Sequence, residues 1–287
     1  MAEDRLSQIR AEYARRLMQS AGRDNERVEA AFAAVSRERY LTPPPWRIFS
    51  PGWGLDLVSA EPAELYADVL VALDDPKRIN NGQPSLHAAW IAATDPQPGE
   101  TVVQIGIGAG YYTAILAALV GPEGRVEAYE IEPHLAEIAR NNLAGLSQVR
   151  VHARTGVGVA LPSADVVYVS AGVAAPDPGW LRALRPSGRM AFPWQPDRSG
   201  GLALLVRRVP EGFRAEPFMH VAFVDCVGAG DAEARPRMTV PSRRPSDTRS
   251  LWLSADTPPD ETATAVYADV WFSSRELESA GPRQAML

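Results

Sequence analysis

The stretch Val102-Val103-Gln104-Ile105-Gly106-Ile107-Gly108-Ala109-Gly110-Tyr111-Tyr112 constrains the fold more than any other. An apolar strand-like run enters three glycines spaced by two and leaves into a helix, so the backbone turns tightly and leaves room for a ligand at close approach. Around it the text alternates. Strands are expected at 101–105, 125–130, 149–153, 164–169 and 189–193, and helices at 111–120, 133–143 and 178–184. Alternation of this kind implies parallel strands joined by crossover helices. Two further strands, near 201–207 and 218–227, are expected as an antiparallel hairpin that completes the sheet. The expected fold class is therefore α/β: a Rossmann-like, seven-stranded, mostly parallel sheet with helices on both faces, preceded by N-terminal helices and followed by a C-terminal extension.

Glu130 closes the strand after the glycine loop, about twenty residues beyond Gly110. An acidic side chain there can accept hydrogen bonds from both ribose hydroxyls of an adenosine ligand, which fits either NAD or S-adenosyl-L-methionine. Spacing separates the two. A dinucleotide site calls for G-x-G-x-x-G so that a helix N-terminus faces pyrophosphate, whereas G-x-G-x-G suits a nucleoside sulfonium that carries no phosphate. The expected cofactor is S-adenosyl-L-methionine, held by Gln104, Gly106, Gly108, Gly110 and Tyr111 with Glu130 and Ile131.

Composition removes several classes. A formal net charge of −6 and a pI near 5.4 disfavour a nucleic-acid partner, because nonspecific affinity for phosphate backbones rests on clustered Lys and Arg. One cysteine, Cys226, rules out an intramolecular disulfide framework and a Cys-rich zinc site, and no metal is expected. There is no uninterrupted apolar span long enough for a bilayer, so no membrane partner is expected and the chain reads as soluble and cytoplasmic.

Outside the alternating region, helical periodicity runs through Leu6, Ile9, Tyr13 and Leu17, and again through Val28, Ala31, Phe32 and Val35. From Tyr40 to Gly54 the prolines Pro43, Pro44 and Pro45, with Trp46 and Trp53, read as an ordered aromatic loop. A helix is expected over 84–93. After Gly228 the text turns to Pro, Arg, Ser and Asp, an extended linker, before two strand-like islands at 250–253 and 265–273 that fold back on the catalytic domain. The residues from Glu278 are expected to be disordered. These divisions give an N-terminal part (1–75), a cofactor-binding domain (76–228) and an extended tail (229–287).

Several stretches resemble the protein-L-isoaspartate O-methyltransferases. They are the helix 28–40, Asn80-Asn81-Gly82-Gln83-Pro84-Ser85, the glycine loop running on through Thr113-Ala114-Ile115-Leu116-Ala117, and Val120-Gly121-Pro122-Glu123-Gly124-Arg125-Val126. The resemblance, which spans 27–192, implies S-adenosyl-L-methionine as methyl donor and a carboxylate as acceptor. The chain departs from the family pattern in reading Gln104 where an acidic residue is usual and Thr155-Gly156 where Gly-Asp is usual. Only Ser85 can be matched to the hydroxyl residue beside the transferred methyl.

On that match Ser85 is assigned to the acceptor, with Asn80, Asn81 and Gln83 as amides that orient it; the residue types alone also read as a turn and a helix start. Ser170, at the carboxyl edge of a strand, is a further substrate-binding candidate. An ionised carboxylate acceptor needs no base, whereas a hydroxyl or amine would, and His87 is the candidate for that role. The segment Val169-Ser170-Ala171-Gly172 lacks the Asn/Asp-Pro-Pro signature of amide and adenine N-methyltransferases. It also lacks the acidic ligand of magnesium-dependent enzymes. The expected activity is carboxylate O-methylation of an isoaspartyl or aspartyl residue in a peptide or protein. Tailoring of a dedicated peptide or small metabolite, and a noncatalytic binding module on the same fold, are the alternatives.

Overall fold

The computed structural model describes residues 2–50, 52, 54–197, 200–230, 238–239 and 244–278. They fall into two compact units, Met1–Gly156 and Val157–Leu287, dividing inside the stretch 76–228 that reads as one domain in the sequence.

The first unit opens with α1 (Ala2–Ala21) and α2 (Glu26–Ala34). Asn25 caps α2 by accepting the Val28 N–H at 3.1 Å, and Val28, Ala31 and Phe32 turn their shared face inward. α2 stops at Ala34, well before the prolines, and a short 3-10 turn over Arg37–Tyr40 replaces the rest of the helix expected to Tyr40; the segment beyond the prolines is not a loop. Trp46–Ser50 forms β1, with Trp46 and Ile48 buried and Arg47 turned outward to Asp56 and Asp75. Five residues of alternation were hidden by the prolines beside them. With β2 (Leu55–Ser59), β3 (Leu70–Asp74) and β4 (Ile79–Asn80), β1 makes an antiparallel sheet in the order β2-β1-β3-β4, over a small core of Leu41, Trp46, Ile48, Leu65, Val69 and Val71. Trp53, expected in the aromatic loop, lies outside the described residues.

Next come α3 (Pro84–Thr94), β5 (Thr101–Ile105), α4 (Tyr111–Val120), β6 (Arg125–Glu130), α5 (Pro133–Leu143) and β7 (Val149–Ala153). β5, β6 and β7 are parallel neighbours, Thr101 to Ile105 lying against Arg125 to Tyr129. β5 and α4 are buried almost throughout, which explains their near-continuous apolar text.

The second unit holds β8 (Ala164–Val169), α6 (Pro178–Ala183), β9 (Leu184–Asp197), β10 (Gly200–Val209) and β11 (Gly212–Val221). β8 and β9 are parallel, and β9, β10 and β11 antiparallel. The expected hairpin is present, but its second strand ends at Val221 instead of Val227. Beyond it the Gln195 side chain takes over as partner, its Oε1 accepting the Phe223 N–H at 2.6 Å and its Nε2 donating to Phe223 O at 3.2 Å. Strands β12 (Met238–Thr239), β13 (Ser250–Leu253), β14 (Ala263–Val266) and β15 (Val270–Ser273) extend the antiparallel part in the order β12-β14-β15-β13-β11-β10-β9-β8. The tail does fold back, within this unit. Its strands β13 and β15 are buried on both faces: Phe272 stacks on Trp194 at 4.1 Å between ring centroids, while Trp252 and Trp271 pack the opposite face. Cys226, the single cysteine, is buried and forms no intramolecular disulfide. Most of the expected linker after Gly230, and the end of the chain from 279 where disorder was expected, lie outside the described residues.

The fold is thus α/β with a mixed sheet. The expectation of seven mostly parallel strands is corrected: the tail strands lengthen that sheet with antiparallel pairs, and the N-terminal strands form a separate antiparallel sheet. No helix among the described residues is long and apolar enough to cross a membrane.

Candidate active site

The glycine loop adopts the backbone its spacing calls for. Gly106, Gly108 and Gly110 have φ of 77°, 56° and 105°, in the left-handed region that a side chain disfavours. A Cβ at Gly108 would lie 2.6 Å from Leu73 Cδ1. The Gly108 N–H donates to Glu130 Oε2 at 2.7 Å and the Glu132 N–H to Glu130 Oε1 at 3.0 Å, so this carboxylate braces the loop from the end of β6. Glu130 is nearly buried, and burial pushes its pKa above the usual carboxylate value, partly offset by these N–H donors. Ile131, the next residue, is 41% exposed, an apolar surface beside a buried carboxylate. A left-handed glycine turn, a carboxylate with further lone pairs and an adjoining apolar face fit an adenosine-bearing ligand.

Gln104 and Tyr111 are turned to other work. Gln104 is buried, and its Oε1 accepts the Thr113 hydroxyl at 2.8 Å, tying β5 to α4. Tyr111 is buried beneath the Arg37 guanidinium, 5.6 Å from its ring centroid. Neither side chain is exposed beside the loop, so any contact they make with a ligand there would run through the backbone.

The acceptor candidates gather around a residue that the sequence reading missed. Asp68 Oδ1 accepts the Ser85 N–H at 2.8 Å, and Oδ2 accepts the Ser85 hydroxyl at 2.7 Å and Gln83 Nε2 at 2.7 Å. Asp68 thereby caps the start of α3 and fixes both side chains; it lies seventeen positions before Ser85, with no spacing to betray it. Asn80 and Asn81 face inward to the backbone. Asn80 Oδ1 accepts the Gly82 N–H at 2.9 Å, and Asn81 Oδ1 accepts from the Val71 N–H at 2.9 Å and Arg37 Nη2 at 3.2 Å. They shape the turn.

Arg37 was also missed. It is fully buried, and its guanidinium donates to the carbonyls of Leu65 at 2.5 Å and Val69 at 2.8 Å, on either side of Asp68. A buried cation holding carbonyls is an expensive device whose effect here is to fix the segment that presents Asp68.

His87 is corrected as a base. It is 1% exposed and stacks on Tyr112 with ring centroids 3.7 Å apart. Burial, reinforced by the positive charge of Arg37, lowers its pKa to about 3, so it is neutral and a poor proton acceptor near pH 7. Tyr112, a third residue missed, donates its hydroxyl to Gly82 O at 3.1 Å and so joins the helix that follows the glycine loop to the turn that carries Gln83 and Ser85. Ser170 belongs to the second unit, where its hydroxyl oxygen is buried without a hydrogen-bond partner among the described residues.

A model of the protein-L-isoaspartate(D-aspartate) O-methyltransferase family matches residues 59–231. The protein-L-isoaspartate O-methyltransferase of Methylorubrum populi is 37% identical over 175 residues, covering 59% of this chain and 80% of its own. A solved structure named protein-L-isoaspartate O-methyltransferase aligns with a TM-score of 0.65 at 23% identity, over 78% of this chain and 68% of that one. A second, from Plasmodium falciparum and described as a putative protein-L-isoaspartate O-methyltransferase in complex with S-adenosyl-L-homocysteine, aligns with a TM-score of 0.61 at 16% identity, over 76% of this chain and 97% of that one. At these identities the two structures bear on the fold.

Proposed function

The chain belongs to the protein-L-isoaspartate O-methyltransferase family, and from that premise we propose that it transfers the methyl group of S-adenosyl-L-methionine to the side-chain carboxylate of isoaspartyl residues in peptides or proteins. When bound, S-adenosyl-L-methionine supplies a methyl group already activated on a sulfonium, so the chain has mainly to align the acceptor and exclude water. Gly106, Gly108 and Gly110 would admit the ligand to the backbone, Glu130 would accept hydrogen bonds from its hydroxyls, and Ile131 would offer it apolar surface. Gln83 and Ser85, set by Asp68, orient the acceptor. A reducing, cytoplasmic setting goes with this reading, since the lone cysteine forms no disulfide.

The family match carries the choice of acceptor, and the site agrees with it: His87 is buried, and the Asp68 carboxylate is engaged by Ser85 and Gln83. A hydroxyl or amine would have to surrender a proton as it is methylated, and the one histidine beside Ser85 is buried and neutral with its pKa at about 3. A carboxylate is already ionised at neutral pH and has no proton to lose. The test is S-adenosylhomocysteine production with an isoaspartyl peptide beside its normal aspartyl counterpart. Selective turnover of the isoaspartyl peptide is expected. Tight binding of S-adenosyl-L-methionine with no turnover of either peptide would overturn the isoaspartyl assignment.

A further inference from the structure

α4 begins immediately after Gly110, so the glycine loop runs directly into the first turn of that helix, where Tyr112 sits. Its hydroxyl donates to Gly82 O, and its ring lies flat on the His87 imidazole, tilted by 12°. Gly82 has a left-handed φ of 76°, and a Cβ there would lie 2.2 Å from His87 Nε2 and 2.8 Å from Cδ2. The imidazole therefore fills the space between the Tyr112 ring and the Gly82 backbone, while the phenol bonds the same residue. Gly82 in turn lies between Asn81, held by Arg37 and Val71, and Gln83, held by Asp68. Both flanks of the turn are thus held, and its centre, Gly82, is reached from α4 through Tyr112.

We infer that Tyr112 is a positioning residue that couples occupancy of the glycine loop to the conformation of the turn 80–85, with His87 as the spacer that gives the coupling its stiffness. The phenol and imidazole touch the backbone of the turn rather than an acceptor. The inference rests on reading that turn as acceptor-bearing, yet the coupling can be measured without any acceptor, using S-adenosyl-L-homocysteine as the probe.

The experiment is amide hydrogen exchange on the full chain, with and without S-adenosyl-L-homocysteine, in wild type and Tyr112→Phe. In wild type the ligand slows exchange across the turn. In Tyr112→Phe the ligand binds within about twofold of wild type, but the protection of the turn falls by roughly fivefold, the factor expected for one neutral hydrogen bond. A merely structural role would change exchange equally in the free and bound forms. Absence of ligand-induced protection in wild type, or undiminished protection in Tyr112→Phe, overturns the inference. Thermal unfolding of Gly82→Ala, alone and with His87→Ala, tests the spacer independently. The alanine at 82 should cost less once the imidazole is gone, and an equal cost in both backgrounds overturns the spacer role. A wild type that shows the protection but does not methylate isoaspartyl peptides would refute the acceptor assignment and leave the coupling standing.

Discussion

Replacing His87 with Leu removes a buried imidazole and keeps most of its volume, and the site dictates the consequence for acid stability. The imidazole is 1% exposed, with Trp90 and Tyr112 for neighbours and the Arg37 cation opposing a second positive charge, so its pKa is lowered to about 3. In the unfolded chain the same group titrates at about 6.5. A depressed histidine pKa means that the unfolded state takes up the proton first. Stability from this group is thus complete above about 6.5, falls as pH drops, and stops falling only near the folded value of about 3. At pH ~4.5 the unfolded chain is about two units below its pKa while the folded imidazole is still neutral, a loss of about 2–3 kcal/mol relative to neutral pH. Urea unfolding of wild type and His87→Leu at pH ~7 and pH ~4.5 isolates this quantity, because every other group titrates alike in both. The leucine will lower stability at both pH values by about 1–2 kcal/mol through imperfect packing, but wild type should lose about 2–3 kcal/mol more than the variant on acidification. Equal acid losses would refute the claim that His87 is buried and neutral.

Glu130→Ala removes the carboxylate proposed to accept the two ribose hydroxyls and should weaken S-adenosyl-L-methionine binding by about 2–3 kcal/mol, roughly 30- to 150-fold by calorimetry; unchanged affinity in a folded variant would remove Glu130 from the site. Gly108→Val puts a β-branched residue at φ 56° with its Cβ against Leu73 and draws the Gly108 N–H away from Glu130. An affinity loss of at least about tenfold is expected, with a cost to the fold of roughly 1–2 kcal/mol. Ser85→Ala and Asp68→Asn should each lower turnover of an isoaspartyl peptide while leaving cofactor affinity within about twofold, since both act on the acceptor turn. Wild-type turnover in both would mean that this turn does not meet the acceptor.

The core of the fold was legible because its elements carry long, unmixed signals. β5, α4, β6, α5, β7 and β8 lie where the alternation of apolar runs and glycines puts them, Pro133 opening α5 and Gly110 opening α4. The antiparallel additions were harder. β1 is five residues long and adjoins three prolines, so its alternation of buried Trp46, exposed Arg47 and buried Ile48 was too short to outweigh them. β11 was displaced toward the apolar run 221–227 because Val221, Val224 and Val227 look like strand text, although Val224 and Val227 are exposed and the Gln195 amide supplies the partner at Phe223.

The site divides in the same way. The glycine turn and its contact with Glu130 were legible because both have a fixed place on a strand–turn–helix unit. Asp68, Arg37 and Tyr112 act across the fold on other side chains or on carbonyls, and no local spacing encodes such contacts. Asn81 and Gln104 illustrate the complementary case: an amide next to a ligand loop is compatible with binding, and the geometry adds that their oxygens accept from Arg37 and Thr113. Glu130 shows why function resists being read from stability. Its pKa is raised by burial, so the folded chain favours its protonated form, and the stability it contributes is present below the ordinary carboxylate pKa and lost as pH rises through the raised value. Binding a ribose asks for the opposite state, an ionised carboxylate with free lone pairs. Acidification through that interval thus relieves the fold at Glu130 while weakening its hold on the cofactor. A residue chosen for stability alone would not be an acid at this position.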